Sequence, residues 1–360
     1  MQCEHFGVCG GCSLQHVPYE EQVKNKQKRL KALYNTEVEV FTGPPFGYRN
    51  RMDFIFSSKG LGLRKKREWR TIIPIRECLI ADPAINTLLK EVNSHFKNPD
   101  YFDMKKKSGT LRHVVIRITS MDSSISFVLN SDSSRLSSAV EQIRSFAEVT
   151  TANNILVTYV RANDDLTVSD DYFAVKGKDY LMEKIGDLTF SIPIQGFFQN
   201  NINVASQMIQ YVSKHLFEGN HLVDLYGGVG VFGLTNAHKF SYTTIIESVE
   251  PATHHAEMNA KRNNLTADII CKDARQVGRL DLKTPLTMIT DPPRSGMHPH
   301  TVSAIKRLEP QKLIYISCNP DQQKREVSRL GYSIKGCALF DLFPQTPHIE
   351  SVLELEKRYF

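Results

Sequence analysis

The segment Val223-Asp224-Leu225-Tyr226 runs straight into Gly227-Gly228-Val229-Gly230-Val231-Phe232-Gly233, and this junction limits the fold more than any other stretch of the chain. An apolar strand that stops on clustered glycines and restarts as a helix opens a βαβ unit. The rhythm continues: apolar runs at 221–226, 244–249, 267–271, 286–290 and 312–317 alternate with helix-length segments. Just ahead of them, Ile202, Ala205, Ile209, Val212 and Leu216 fall at intervals of three and four, one apolar face of a helix. The alternation predicts an α/β fold on a doubly wound, mostly parallel sheet with helices on both faces. Ligands of such sheets lie beyond the carboxyl ends of the strands.

The first strand end spells G-x-G-x-x-G from Gly228 to Gly233, and Glu250 lies twenty residues past Gly230, at the end of the next strand. Glycines let the backbone approach a ligand closely, and an acidic side chain at the second strand accepts hydrogen bonds from ribose hydroxyls. Both features suit an adenosine-containing cofactor. They fit NAD as well as S-adenosylmethionine, so an NAD-dependent oxidoreductase stays open on this loop alone.

The first half has another texture. A charged amphipathic segment at 19–33 reads as a helix, and short alternating runs at 52–56, 114–118, 125–129 and 155–159 read as antiparallel strands. Three stretches are expected: a cysteine-rich segment over 1–45, a smaller α+β, β-rich domain over 46–185, and the α/β domain over 186–360. Charge follows the same division. Residues 1–117 hold 21 Lys and Arg against 12 Asp and Glu, while residues 118–360 hold 24 against 27. The basic part includes Arg64-Lys65-Lys66-Arg67-Glu68-Trp69-Arg70, with the only tryptophan, and Lys105-Lys106-Lys107. Cations beside an aromatic suit a polyanion whose bases can be splayed and stacked, hence RNA. A solvated loop would carry either run just as well.

Seven cysteines are present, three of them within the first twelve residues. No run of eighteen apolar residues occurs and no basic-then-apolar leader opens the chain, so no membrane span and a cytoplasmic location are expected. In that reducing compartment crowded cysteines mean metal binding or catalysis. Spacing alone favours a zinc site with four cysteine ligands. Cys271 and Cys337 sit in or beside apolar runs and read as small core residues. Cys318 differs: polar Ser317 and Asn319 flank it where a strand ends, the position of an exposed nucleophile.

At another strand end stands Asp291-Pro292-Pro293-Arg294. Two prolines fix φ and remove donors, holding a rigid turn that faces the site. Such a turn is a methyltransferase signature, for which a dehydrogenase has no use. Base-amino methyltransferases place an aromatic residue where Arg294 stands, which speaks against that chemistry.

Together with Phe197-Phe198-Gln199-Asn200, Ser317-Cys318-Asn319-Pro320 and the run from Phe340-Asp341-Leu342-Phe343-Pro344 to Glu350-Ser351-Val352, these motifs resemble the RNA uracil-C5 methyltransferases. The resemblance covers the whole catalytic half in the family's order. It implies a Rossmann-like class I methyltransferase domain behind an RNA-binding domain. It implies Cys318 as nucleophile and Glu350 as base. For S-adenosylmethionine it implies Gln199, Tyr226, Glu250 and Asp291; Gly228 and Gly230 follow from the loop, and Asp273 is added to meet the adenine. It also implies that Cys3, Cys9 and Cys12, spaced C-x5-C-x2-C, join Cys78 as ligands of a [4Fe–4S] cluster in place of zinc. Many relatives begin with a small oligonucleotide-binding barrel, for which there is no room ahead of Cys3. This compact layout is most similar to the enzymes acting on a hairpin loop of 23S rRNA, with the tRNA T-loop as the alternative. A monomer is expected. An oxidoreductase, a non-catalytic RNA-binding protein and a cytosine-C5 methyltransferase remain as competing classes.

Overall fold

The computed structural model describes residues 3–357. The chain forms two compact units: one gathers the chain up to Val17, Pro44–Glu183 and Pro193–Asn200, the other Pro18–Gly43, Lys184–Ile192 and the chain from Asn201 on. These units cross the boundary expected near 185 in both directions. Residues 18–43, grouped above with the cysteines, belong with the α/β unit, and residues 193–200, which include Gln199, belong with the first unit. Among the described residues no helix is long and apolar enough to cross a membrane.

The first unit is built on a seven-stranded sheet in the order Glu68–Pro74, Gly60–Lys65, Arg51–Ser57, Leu111–Ile118, Ser123–Asn130, Asn154–Val160, Tyr172–Lys176. Period-two residues such as Phe54, Val114, Ile116, Phe127, Ile155 and Val157 bury one face against Pro83–His95 and Leu136–Val149. The strands were expected to be antiparallel throughout. Ser123–Asn130 and Asn154–Val160 run parallel instead, because the helix Leu136–Val149 carries the chain back across the sheet between them.

The second unit holds an eight-stranded sheet in the order Glu39–Phe41, Tyr332–Phe340, Glu350–Lys357, Lys312–Ser317, Leu286–Thr290, Gly219–Leu225, Phe240–Glu247, Asp268–Cys271. The five strands read from the sequence all form and pair in parallel, and three that were not read, Glu39–Phe41, Tyr332–Phe340 and Glu350–Lys357, join them. Near-continuous apolar runs suit strands covered on both faces. The order reverses at Gly219–Leu225, which lies between Leu286–Thr290 and Phe240–Glu247. Strand Glu350–Lys357 is antiparallel to both neighbours. A reversed strand brings its first residue to the edge where parallel strands deliver their last.

Candidate active site

Register does most of the assembly. Ser317 pairs with Ser351 across the antiparallel ladder, so the next residues outward, Cys318 and Glu350, emerge from neighbouring strands spaced about 4.8 Å apart. Leu225 pairs with Thr290 on the other side, which brings the glycine loop and Asp291 to the same edge. Asp291 donates its backbone N–H to the Leu225 carbonyl at 3.4 Å. Cys318 is half-buried, and its turn is tied down by its neighbours. The Asn319 amide N–H donates to Ser317 Oγ at 3.0 Å, and Asn319 Nδ2 donates to the Arg294 carbonyl at 3.0 Å. Pro320 then starts the helix Pro320–Leu330.

Carboxylates crowd this edge. Burial pushes Asp224 up to about 7, against the pull of the Gly233 N–H that it accepts at 2.7 Å. Burial raises Asp291, with the charge of Asp224 adding to it. Burial likewise raises Glu350 well above the usual carboxylate range, helped by Asp291. The Cys318 thiol is pushed up to about 11, first by burial and then by Glu350 and Asp291, with Arg294 pulling it down. This arrangement opposes the ionisation of a thiol and a buried carboxyl set side by side. Once ionised, the thiolate can add to a substrate and the carboxylate can take a proton from it.

The glycine loop is a built cradle. Gly228 and Gly230 hold φ of +55° and +87°, a region that side chains rarely enter. Gly227 and Gly233 answer to packing instead, since a Cβ on either would meet Ile245 at 2.5 and 2.8 Å. Tyr226 adopts φ +65°, so the chain turns left-handed even before the glycines. Glu250 is not at the strand end. The strand closes at Glu247, and Glu250 opens the following helix, exposed. Glu247 Oε2 accepts the Gly228 N–H at 3.1 Å, a loop-setting role that counting to Glu250 passes over. A second acid three residues earlier was the available signal. Asp273 caps a short helical turn and grips Arg275 through three bonds of 2.8 to 2.9 Å. Gln199 lies in the first unit, where its carbonyl accepts from Asn50 Nδ2 at 3.1 Å.

In the first unit the cysteines gather at one place. Cys3, Cys9, Cys12 and Cys78 are all free thiols and line a single cavity of about 720 Å³. Burial raises Cys9 and Cys78 and lifts Cys12 to about 11, and neighbouring thiols add to each shift. Thiols that oppose each other's ionisation are of the kind that a cationic metal can hold ionised. As the side chains lie, no three His, Cys, Asp or Glu among the described residues stand in ligating positions. The cysteine loop is stitched to the basic hairpin: Gly10 N–H donates to the Arg64 carbonyl at 3.0 Å and Lys66 N–H to the Val8 carbonyl at 2.8 Å. Arg64 also joins the two basic runs, donating to the Trp69 carbonyl at 2.9 Å and reaching Met104 Sδ at 3.9 Å beside Lys105–Lys107. Trp69 is 52% exposed, with the Arg70 guanidinium 4.8 Å from its ring centre.

The two core cysteines divide. Cys337 is buried, but Cys271 is exposed, because its strand, Asp268–Cys271, forms the outer edge of the sheet.

A reversal point flanked by a glycine cradle, with an Asp-Pro-Pro turn and a cysteine at adjacent strand ends, defines a class I methyltransferase fold. The profile of the tRNA (Uracil-5-)-methyltransferase family matches residues 18–358. The chain therefore belongs to that family, and it is an S-adenosylmethionine-dependent RNA uracil-C5 methyltransferase. It is similar to the tRNA (uracil(54)-C(5))-methyltransferase of Pyrococcus abyssi, 32% identical over 357 residues that span 98% of this chain and 85% of that protein. An uncharacterized RNA methyltransferase of Caldanaerobacter subterraneus subsp. tengcongensis is 31% identical over 99% of this chain and 84% of that one. The crystal structure of the P. abyssi enzyme, in complex with S-adenosyl-L-homocysteine, superposes with a TM-score of 0.83 at 30% identity, covering 97% of this chain and 86% of that chain. The oxidoreductase and the non-catalytic alternatives fall with this assignment. Cys3, Cys9 and Cys12 lie ahead of the matched span.

Proposed function

We propose that the enzyme methylates C5 of a uridine in tRNA, in the T-loop, through a covalent bond from Cys318 to C6. The register that sets Cys318 beside Glu350 carries the mechanism. The names of the P. abyssi and P. horikoshii relatives, both tRNA (uracil(54)-C(5))-methyltransferases, favour tRNA over the 23S rRNA that layout suggested.

Uracil C5 is a poor nucleophile. Cys318 gives its proton to solvent and its Sγ adds to C6, which leaves C5 enolate-like. Bound S-adenosylmethionine would supply an electrophilic methyl group, which C5 takes while the bonding electrons stay on the donor's sulfur. Glu350 then takes the C5 proton, the C6–S bond breaks with its electrons returning to sulfur, and the 5,6 double bond reforms. Gly228, Gly230, Tyr226, Gln199, Glu250, Asp273 and Asp291 are the residues proposed to hold the methyl donor. The uridine must leave its stack to reach Cys318, at least cost in a loop. Lys66, Arg67 and the lysines of 105–107, all exposed, are suited to the RNA backbone.

Cys3, Cys9, Cys12 and Cys78 are the proposed ligands of a [4Fe–4S] cluster with a structural role: no step above moves an electron. Their loop is bonded to the basic hairpin, so the cluster is expected to set that hairpin's position. The reading includes a monomeric enzyme in the cytoplasm.

The test is incubation with labelled S-adenosylmethionine and either tRNA or 23S rRNA transcripts, followed by mapping of the modified nucleotide. Label on a T-loop uridine is expected, and none with Cys318→Ala. Label confined to 23S rRNA overturns the substrate, and C5 methylation by Cys318→Ala overturns the mechanism.

A further inference from the structure

The helix Tyr19–Tyr34 buries Gln22, Lys26, Leu30 and Tyr34, a stripe at intervals of four. A helix that only covers a sheet buries apolar side chains along such a stripe. Here three of the four carry a polar tip, and each tip meets one of the loops that present Cys318 and Glu350. Lys26 Nζ donates to Asp341 Oδ1 at 2.6 Å and to the Phe343 carbonyl at 3.1 Å. Gln22 Nε2 donates to Gln345 Oε1 at 3.0 Å, and the Gln345 N–H returns a bond to Gln22 Oε1 at 3.0 Å. Gln345 stands at φ +66°, so the loop it occupies is held in an uncommon conformation five residues before Glu350. At the other end of the helix, the Tyr34 hydroxyl donates to Gln323 Oε1 at 2.6 Å and lies 3.0 Å from the Pro320 carbonyl. Ser351 Oγ donates to that same Gln323 oxygen at 2.8 Å. One helix thus touches the turn after Cys318, the strand start at Glu350 and the loop between Phe340 and Ile349.

The Lys26–Asp341 pair is 4% and 0% exposed at its side chains, and Asp341 Oδ2 has no hydrogen-bond partner among the described residues. Well-packed apolar residues usually serve stability as well as a buried ion pair does. What the pair adds is a fixed geometry.

We propose that helix Tyr19–Tyr34 is a positioning element for methyl transfer: Lys26 and Gln22 set the loop that delivers Glu350, and Tyr34 sets the turn that delivers Cys318. This rests on the roles given to Cys318 and Glu350 above. None of the three residues touches the reacting atoms in this scheme; each acts through the backbone it holds.

The experiment uses the full chain with RNA substrate and labelled S-adenosylmethionine. Lys26→Met and Asp341→Leu are made together, so that no lone charge is left buried, and Tyr34→Phe is made separately. The thermal midpoint and the KM for the methyl donor are expected to stay near wild type. The kcat is expected to fall roughly ten- to a hundredfold, as for a catalytic group displaced by about 1 Å. In the double variant a denaturant-stable enzyme–RNA adduct is expected to accumulate, because removal of the C5 proton is slowed. Glu350→Gln is the reference. If it fails to accumulate adduct, the base assignment is overturned and not the positioning role. If it does accumulate adduct while the double variant and Tyr34→Phe turn over at wild-type kcat, the positioning role is overturned. Should the double variant not fold, Gln22→Met and Tyr34→Phe decide by the same split between kcat and KM.

Discussion

Cys318 sits where its own ionisation is opposed. Burial and two carboxylates raise its thiol to about 11, and Arg294 offsets part of this. Replacing Glu350 by Gln removes the largest charge contribution, so the thiol pKa is expected to fall, read as an alkylation rate that rises at lower pH than in wild type. An unchanged profile would put Glu350 out of reach of the sulfur. The same carboxyl affects stability with a definite sign. Its folded pKa is raised, so the stability it contributes is full below the ordinary carboxylate value of about 4.3 and is lost as pH rises through the folded value. Glu350→Gln is therefore expected to gain in thermal midpoint relative to wild type at pH 8, and not at pH 4. A relative gain confined to pH 4 would reverse the sign and contradict the shift. Cys318 was legible in the sequence because polar neighbours flank it at a strand end. Glu350 was not, apart from the family resemblance: its place comes from a strand reversal that no local pattern records. Cys271 misled for the opposite reason, since its apolar strand lies at an edge that the sequence does not mark.

In the proposed function two elements separate cofactor binding from RNA binding. The glycine cradle depends on left-handed backbone at Gly230, where a Cβ would also come within 3.0 Å of Leu234. Gly230→Val is expected to cost about 1–2 kcal/mol from the backbone alone and to weaken S-adenosylmethionine binding, measured by denaturant melts and calorimetric titration. Affinity at the wild-type level would show that the loop does not meet the ligand. The basic hairpin is proposed to act on RNA through charge. Lys66→Ala with Arg67→Ala is expected to weaken binding to all RNA alike and to lower the slope of log K against log salt by about 2. A loss confined to one sequence would mean base reading at the hairpin. The strands were readable from period and apolar runs, and the hairpin from charge. Its bonding to the cysteine loop was not readable, because Cys9 and Lys65 meet only through tertiary pairing.

Over the whole chain, two short excursions escaped the sequence reading. Residues 18–43 supply the edge strand Glu39–Phe41 and the core residues Leu30, Tyr34 and Val38 to the α/β unit. A segment of twenty-six residues that packs with a unit far along the chain leaves no mark in the sequence pattern. A protein of residues 184–360 lacks those groups and is expected not to melt cooperatively, whereas one lacking only the first seventeen residues keeps them. Cooperative melting of the shorter protein would contradict this division. The central claim, a covalent route through Cys318, is tested most directly with RNA in which the target uridine carries fluorine at C5. Glu350 then finds no C5 proton to remove, so the Cys318–C6 bond persists after methyl transfer. Mass spectrometry of the digested adduct is predicted to find the nucleotide on the peptide containing Cys318. Methyl transfer to ordinary RNA by an enzyme that forms no such adduct, or one attached elsewhere, would contradict the account.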